Sequence, residues 1–524
     1  MQLDESPPAT STPRTQRQLL AALSGLLLAL FVATLSSTVI STALPDMLGR
    51  LRGSQTQYTW VVTAALLTAT ASTPIWGKLA DLYSKKVLIQ SAIVVFVTGS
   101  LAAGLSQSAG QLIATRAVQG VGVGGLQALA QIAIASMIPP RERGRYSGYL
   151  SSTTALSTIG GPLLGGLIVD TSWLGWRWCF FIGIPFAGAA LIVLQAKLRL
   201  PVIHRDGVKI DYLGATGITA GVGLLLIWIS FVGDAFAWMS WQSAAMVGGA
   251  LALLLLAGWV ETRAAEPIVP LGILRQRTTA LAILGSLAAG TAMYGAAVFL
   301  TQYFQLGRSY SPTVAGLLTV PMMAGILVSS IVAGRLITRT GRIKPFLVAG
   351  AVLLAAGLGG LGLIDHRTPL APIGVAMLCV GAGIGMTMQN FVLVVQNAVP
   401  LRDVGAASST VAFFRSLGGT IGVSVLGAIL ARQISGRIHS ALAAEGLAVP
   451  AGQPLDAATL PASAQASIHA AYGDATGTIF LISSAVAVLG ILAAATLRSV
   501  NLRTSLDLSD TAGLPHPSTA QQRA

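Results

Sequence analysis

The stretch Val87-Leu88-Ile89-Gln90-Ser91-Ala92-Ile93-Val94-Val95-Phe96-Val97-Thr98-Gly99-Ser100-Leu101-Ala102-Ala103-Gly104 sits in a gap that runs without charge from Lys86 to Arg116. A bilayer core needs roughly 20 apolar residues per helix. Inside hydrocarbon only a helix satisfies the backbone donors and acceptors of one segment by itself. Similar gaps run from Arg17 to Asp46, Arg52 to Lys78, Arg277 to Arg308 and Arg367 to Arg402. Mean hydropathy is +0.74, and charged residues are 10% of the chain. These features predict an all-α, polytopic membrane protein whose function lies within or across a lipid bilayer.

Fourteen spans are expected, near 19–41, 58–78, 87–107, 110–133, 146–169, 177–197, 212–232, 242–260, 278–303, 313–334, 345–364, 371–394, 405–431 and 477–497. With the N-terminus inside, most of the 32 Lys and Arg fall on the cytoplasmic side, among them Arg14, Arg17, Lys85, Lys86, Arg141, Arg143, Arg145, Arg339 and Arg342. That asymmetry is the positive-inside rule. It accounts for the net charge of +14 as topology, without a nucleic-acid partner. An even number of spans puts both termini in the cytoplasm of a multi-pass plasma-membrane protein. The run Leu19–Ile40 is too long for a signal peptide, and no clean small-x-small site follows it, so it reads as an uncleaved first helix. The two cysteines, Cys179 and Cys379, lie in different halves. They point to no disulfide framework and no metal site, and no cofactor is expected.

The two halves share signals. Gly77-Lys78-Leu79-Ala80-Asp81-Leu82-Tyr83-Ser84-Lys85-Lys86 closes the second span, and Gly334-Arg335-Leu336-Ile337-Thr338-Arg339-Thr340-Gly341-Arg342 closes the tenth. Parallel six-helix repeats are a common way to build transporters. The expected organisation is a disordered cytoplasmic tail 1–18, a six-helix bundle 19–200, two inserted helices with linkers 201–277, a second six-helix bundle 278–498 and a cytoplasmic tail 499–524. An outer-face loop, 433–475, is rich in Ala, Gly, Pro and Ser. Glycine, at 59 residues, clusters in several spans, where small residues let helix backbones approach closely.

Four motifs carry a resemblance. The first is Gly77 to Lys86, in which Gly77, Leu79, Asp81, Lys85 and Lys86 stand in loop-signature positions, with Leu82 and Ser84 departing. The second is Arg116 in Ala114-Thr115-Arg116-Ala117-Val118-Gln119-Gly120. The third is Gly160-Gly161-Pro162-Leu163-Leu164-Gly165-Gly166. The fourth is Trp176-Arg177-Trp178-Cys179-Phe180-Phe181-Ile182-Gly183-Ile184-Pro185. Over about residues 20–500 the chain resembles the major facilitator superfamily, specifically its 14-helix drug:proton antiporter branch. The resemblance implies a secondary transporter that works by alternating access, with no ATP. It implies a cytoplasmic latch at Gly77, Asp81, Lys85 and Lys86, in which Asp81 pairs with basic groups of neighbouring helices. It also implies a role for Arg116 in proton coupling, for which the end-located Asp46 and Asp81 are the candidate acids in this sequence, and an exporter's fifth helix at Gly161, Pro162, Gly165 and Gly166. A proline removes a backbone donor and lets a helix bend.

One departure bears on the ligand. In this branch the first helix places an Asp where Leu35-Ser36-Ser37-Thr38 puts Ser36. A hydroxyl does not titrate in the working range. None of the 18 acids falls deep within an expected span, whereas Arg116 and Arg415 do. The expected substrate is therefore a neutral or anionic amphiphile rather than a dication. Residues proposed to line its cavity are Ser36, Thr38, Gln119, Gln127, Tyr294, Gln302, Tyr303, Met386, Met388, Gln389, Asn390, Phe413 and Arg415. Met and aromatic side chains suit a permissive apolar pocket, although helix packing claims the same residue types.

Other classes fit less well. An intramembrane enzyme needs converging catalytic groups, yet His204, His366, His439, His469 and His516 all fall in expected loops or tails. An ATP-driven pump needs Gly-x4-Gly-Lys-Ser/Thr, and Gly77-Lys78 is followed by Leu79. A sensor or assembly partner would carry a signalling domain. An exporter of an endogenous metabolite or lipid-like anion remains open beside drug efflux.

Overall fold

The computed structural model describes residues 16–51, 55–171, 174–198, 211–233, 236–264, 271–310, 312–400, 403–444, 462–498 and 502. Among them are fourteen helices of fifteen residues or more. They are α1 (Gln16–Arg50), α2 (Gln55–Leu82), α3 (Lys85–Gly104), α4 (Ala109–Met137), α5 (Pro140–Asp170), α6 (Gly183–Lys197), α7 (Tyr212–Phe231), α8 (Trp241–Glu261), α9 (Arg277–Gln302), α10 (Val320–Thr340), α11 (Lys344–Leu361), α12 (Leu370–Ala398), α13 (Val404–Ala444) and α14 (Ala462–Thr496). The expected tails fall almost wholly outside the described residues.

Local chemistry sets the helix ends. Ser108 caps α4 by accepting the Gln111 N–H at 3.3 Å, and Asp211 caps α7 through Gly214 N–H at 2.7 Å. Side-chain oxygens at such positions satisfy donors that the first turn leaves free. Pro140 opens α5, where the missing N–H costs nothing. Gly341 ends α10 in the left-handed region at φ 70°.

Eleven of these helices are long and apolar enough to cross a membrane. The other three are α2, α5 and α7. Both α2 and α5 are rich in Ser and Thr, and these hydroxyls donate back to carbonyls one turn earlier. Examples are Thr73 to Ala69 O at 2.7 Å and Ser152 to Gly148 O at 2.7 Å. Polar groups satisfied within their own helix lower hydropathy without leaving a donor bare. The same two helices pack across the molecule, α2 on α13 and α5 on α10.

Each half has its own cores. In the first half, Leu26, Phe96, Leu129 and Ile132 pack between α1, α3, α4 and α6. Leu44, Met47, Trp176 and Phe180 pack at the end opposite the basic loops. In the second half, Phe299, Phe304, Met377 and Phe480 form one cluster, and Leu347, Phe391, Val395 and Leu497 another. Helices α7 and α8 pair with each other, and α7 carries most of their contact with the rest. Its Val222 and Leu226 meet Phe413 of α13, with Leu67 of α2 packed alongside.

One expectation changes. The segment read as an outer loop, 433–475, is helical over 433–444 and 462–474, because its alanine-rich composition favours helix. The sixth span, expected at 177–197, is realised as Trp178–Lys197, in which the turn Trp178–Phe181 runs through Ile182 into α6. The Tyr303–Gly307 segment that follows α9 is a π-turn.

Candidate functional site

At the end that carries the basic loops, the two halves meet at two crossings. Gly77 of α2 faces Gly405 and Ser409 of α13, and a Cβ on Gly77 would stand 2.9 Å from the Gly405 carbonyl. Beside this contact, the Asp81 carboxylate accepts the backbone N–H groups of Gly405 at 2.9 Å and Ala406 at 2.8 Å. These are among the first donors of α13, where the helix dipole favours an anion. Beside these backbone bonds, the charges of Lys85 and Lys78 also act on the carboxylate. Asp81 lies beyond the apolar stretch 58–78 of its helix and is 7% exposed. Burial pushes its carboxyl up to about 7, opposed by the amides of Ala406 and Gly405 and by the two lysines.

The second crossing joins α5 to α10. A Cβ on Gly144 would lie 3.0 Å from the Gly334 carbonyl, and one on Gly148 3.3 Å from that of Ser330. Arg143 stitches this side. It donates to Ala135 O at 2.6 Å, Ile138 O at 2.7 Å and Gln396 Oε1 at 3.2 Å, and Gln396 donates on to Ser408 Oγ at 2.9 Å. Sequence alone does not place Arg143 and Gln396 in a site, because a cytoplasmic Arg is already explained by topology. The spacing Gly144-x3-Gly148 is the signal that could have found them.

Arg116, 4% exposed, lies within α4. Its Nε donates to Val61 O at 3.3 Å and its Nη1 to Gln119 Oε1. Gln119 Nε2 donates to Ser100 Oγ at 2.6 Å and to Ser36 Oγ at 3.3 Å. Ser36, where the branch carries an Asp, is thus wired to Arg116 through a neutral amide. The network ties α1, α2, α3 and α4 together.

Arg415, 5% exposed, occupies α13 in the other half. Its Nη1 is sealed from solvent and has no hydrogen-bond partner among the described residues, and Tyr294 interacts with the guanidinium electrostatically. The backbone beneath it is tightly held. Gly290 of α9 faces the Arg415 carbonyl, the Tyr294 ring lies on Gly419, and Thr291 Oγ1 donates to Gly418 O at 2.8 Å.

The remaining candidates are scattered. Thr38 packs on Gly161 and donates to Leu35 O at 2.9 Å and Ser157 O at 3.1 Å, so Gly161 is where α5 approaches α1. Gly165 is buried in α5. Asn390 donates to Met386 O at 2.6 Å within α12, where Gln389 is buried, and Gln127 is half-buried in α4. Met388 and Phe413 pack against apolar clusters. Gln302 and Tyr303 lie at the opposite end, where the Tyr303 hydroxyl donates to Asp365 O at 2.8 Å and Arg308 donates to His366 O at 2.7 Å. Of Lys85 and Lys86, the first is buried, and the second donates to Gln195 O at 2.8 Å. The side chains of Asp46, Pro162 and Gly166 fall outside those described.

Two helical halves, joined through glycine crossings and each holding a buried arginine, define a polytopic membrane transporter rather than an enzyme. The Major Facilitator Superfamily pattern matches residues 26–423, and the chain belongs to that family. It is 36% identical over 492 residues to the uncharacterized MFS-type transporter Rv1877 of Mycobacterium tuberculosis (strain ATCC 25618 / H37Rv), covering 94% of this chain and 71% of the relative. It is 32% identical over 411 residues to the multidrug transporter protein MdtP of Bacillus subtilis (strain 168), covering 78% of this chain and 74% of that protein. The solved structure of the proton:xylose symporter XylE bound to 6-bromo-6-deoxy-D-glucose aligns with a TM-score of 0.60 at 14% identity, over 93% of this chain and 97% of XylE, which is a likeness of fold.

Proposed function

We propose that the chain is a secondary active exporter of amphiphilic small molecules across the plasma membrane, driven by the proton gradient without ATP. In this reading all fourteen long helices cross the bilayer and both termini are cytoplasmic. Two six-helix bundles, 19–200 and 278–498, rock about a central seam, and the pair within 201–277 is an insertion. The relatives support export, since the name of MdtP states multidrug transport.

The observation that carries the mechanism is the bond from Asp81 to the Gly405 and Ala406 amides. It joins α2 to α13 at the basic end, with glycines facing each other beneath it. The contact is local, hydrogen-bonded and breakable, as a switch between two packings requires. With that end on the cytoplasmic side, the structure is the cytoplasm-closed state, and opening would break the Asp81 bonds and the Arg143–Gln396 bond. One charge crossing 100 mV supplies ~2.3 kcal/mol, enough for roughly fifty-fold accumulation.

The test is efflux of a lipophilic dye from cells, with and without a protonophore, for wild type, Asp81→Asn, Arg116→Ala and Ser36→Asp. Protonophore-sensitive efflux that Asp81→Asn and Arg116→Ala cripple is expected. Ser36→Asp should steepen the pH dependence by placing a carboxylate beside Gln119. Efflux that survives collapse of the gradient would refute proton coupling.

A further inference from the structure

Arg415 is costly where it stands. Moving an Arg to the centre of a spanning helix costs about 2.5–3.5 kcal/mol on insertion scales. The residue lies about three turns into α13, roughly 16 Å from the helix start at Val404, too deep for its side chain to reach the interface. Its Nη1 has no acceptor, and none of the described carboxylates or carbonyls bonds to its guanidinium. One turn before Gly290 in α9, the buried Ser286 hydroxyl is also without a partner among the described residues. The packed α9–α13 crossing thus holds a cation with Tyr294 as its electrostatic neighbour and one donor, Nη1, unanswered among the described residues.

The surroundings are built rather than loose. Gly290 lets α9 meet the Arg415 carbonyl, Gly418 meets Leu287, Gly422 meets Thr291, and the Thr291 hydroxyl bonds Gly418 O at 2.8 Å. The Arg415 backbone is therefore fixed, which sets the depth of the side chain, and its planar guanidinium fork suits a planar oxyanion. α13 is also the helix that packs on α2 across the seam, so whatever loads here is coupled to the junction that must open.

We infer that Arg415 is the anchor for the acidic head of the exported ligand, a singly charged carboxylate amphiphile. The inference rests on the export reading above. The ligand's carboxylate supplies the missing acceptor at Nη1. Because Nη1 is shielded in this state, loading requires the halves to rearrange.

The experiment measures equilibrium binding of three fluorescent probes to the full chain in nanodiscs: 11-(dansylamino)undecanoate, its carboxamide, and the corresponding undecylamine. Wild type is expected to hold the carboxylate about tenfold or more tighter than the amide, as suits a buried hydrogen bond to charge. Arg415→Gln should bring the two within about twofold, and Arg415→Lys should keep part of the preference. Elution profile and melting temperature establish that each variant is folded, and if Arg415→Gln does not fold, the wild-type series and Arg415→Lys decide. Equal binding of acid and amide, no carboxylate binding up to its solubility limit, or equal weakening of all three probes by Arg415→Gln would overturn the assignment. Transport of the same probes in proteoliposomes is read separately. A carboxylate preference without protonophore-sensitive transport would sink the export reading and leave the anchor standing.

Discussion

Arg116 and Arg415 are the same residue at the same burial in opposite halves of the molecule, and they are solved differently. Arg116 is answered by Val61 O and Gln119 Oε1, and through Gln119 by Ser100 and Ser36. Its charge meets neutral acceptors from α2 and α4, and Gln119 carries the network on to α1 and α3, so it acts as a clamp on its own half. Arg415 has a guanidinium nitrogen with no acceptor, on a helix crossing held by glycines instead. A buried cation that helices share is structure, whereas one they leave bare is a cost that persists only if something else uses it.

The contrast breaks first at Gln119. Gln119→Leu removes the acceptor of Arg116 Nη1 and the donor to both serines, leaving a buried charge with one weak bond. The expected loss is about 3 kcal/mol of stability, read as a lower melting temperature in nanodiscs. An unchanged melt would mean that the network does not hold the first half together, and the two arginines would then be equivalent. The second effect is smaller and opposite in sign. Arg415→Leu removes an unpaired buried charge, so stability should rise by about 1 kcal/mol while carboxylate binding is lost. A clear fall in melting temperature would show that Arg415 is already paired in the native protein.

Half of this contrast is legible in the amino-acid sequence. The charge-free gaps mark the helices closely, with 87–107 realised as Lys85–Gly104 and 242–260 as Trp241–Glu261. Arg116 and Arg415 stand out as lone charges in apolar runs, and Arg116 with Gln119 is a local pair at i,i+3. Ser100 and Ser36 are not legible as its partners, because contacts between helices far apart in sequence leave no periodic trace. The bare Nη1 of Arg415 is equally hidden, since a sequence shows a charge but not its failure to find a neighbour. The loop reading of 433–475 fails because Gly and Pro lie at its middle, 446–454, while the alanine-rich flanks extend the helices. The partner of Asp81 escapes sequence reasoning because backbone amides at a helix start carry no residue label.

Asp81 extends the comparison to a buried carboxylate that does find partners, and its titration gives an effect that accrues gradually with pH. In the closed junction burial raises its carboxyl from 3.8 to about 7. If opening returns it to water, the open form holds the lower value, so the closed form binds the proton more tightly. The closed junction is then most favoured below about 3.8, where both forms are protonated, and loses that advantage as pH rises through about 7, by at most about 1.4 kcal/mol per unit. Spin labels replacing the exposed Tyr83 and Thr340, in a chain whose two cysteines are substituted, report the separation of the halves at the basic end. Between pH 6 and pH 8 the long-distance population should grow, and Asp81→Asn should flatten the response. A shift toward the closed form with rising pH, or an undiminished response in Asp81→Asn, would assign the titration to another group. Asp81 would then be, like Arg116, a fixed structural bond rather than a moving one.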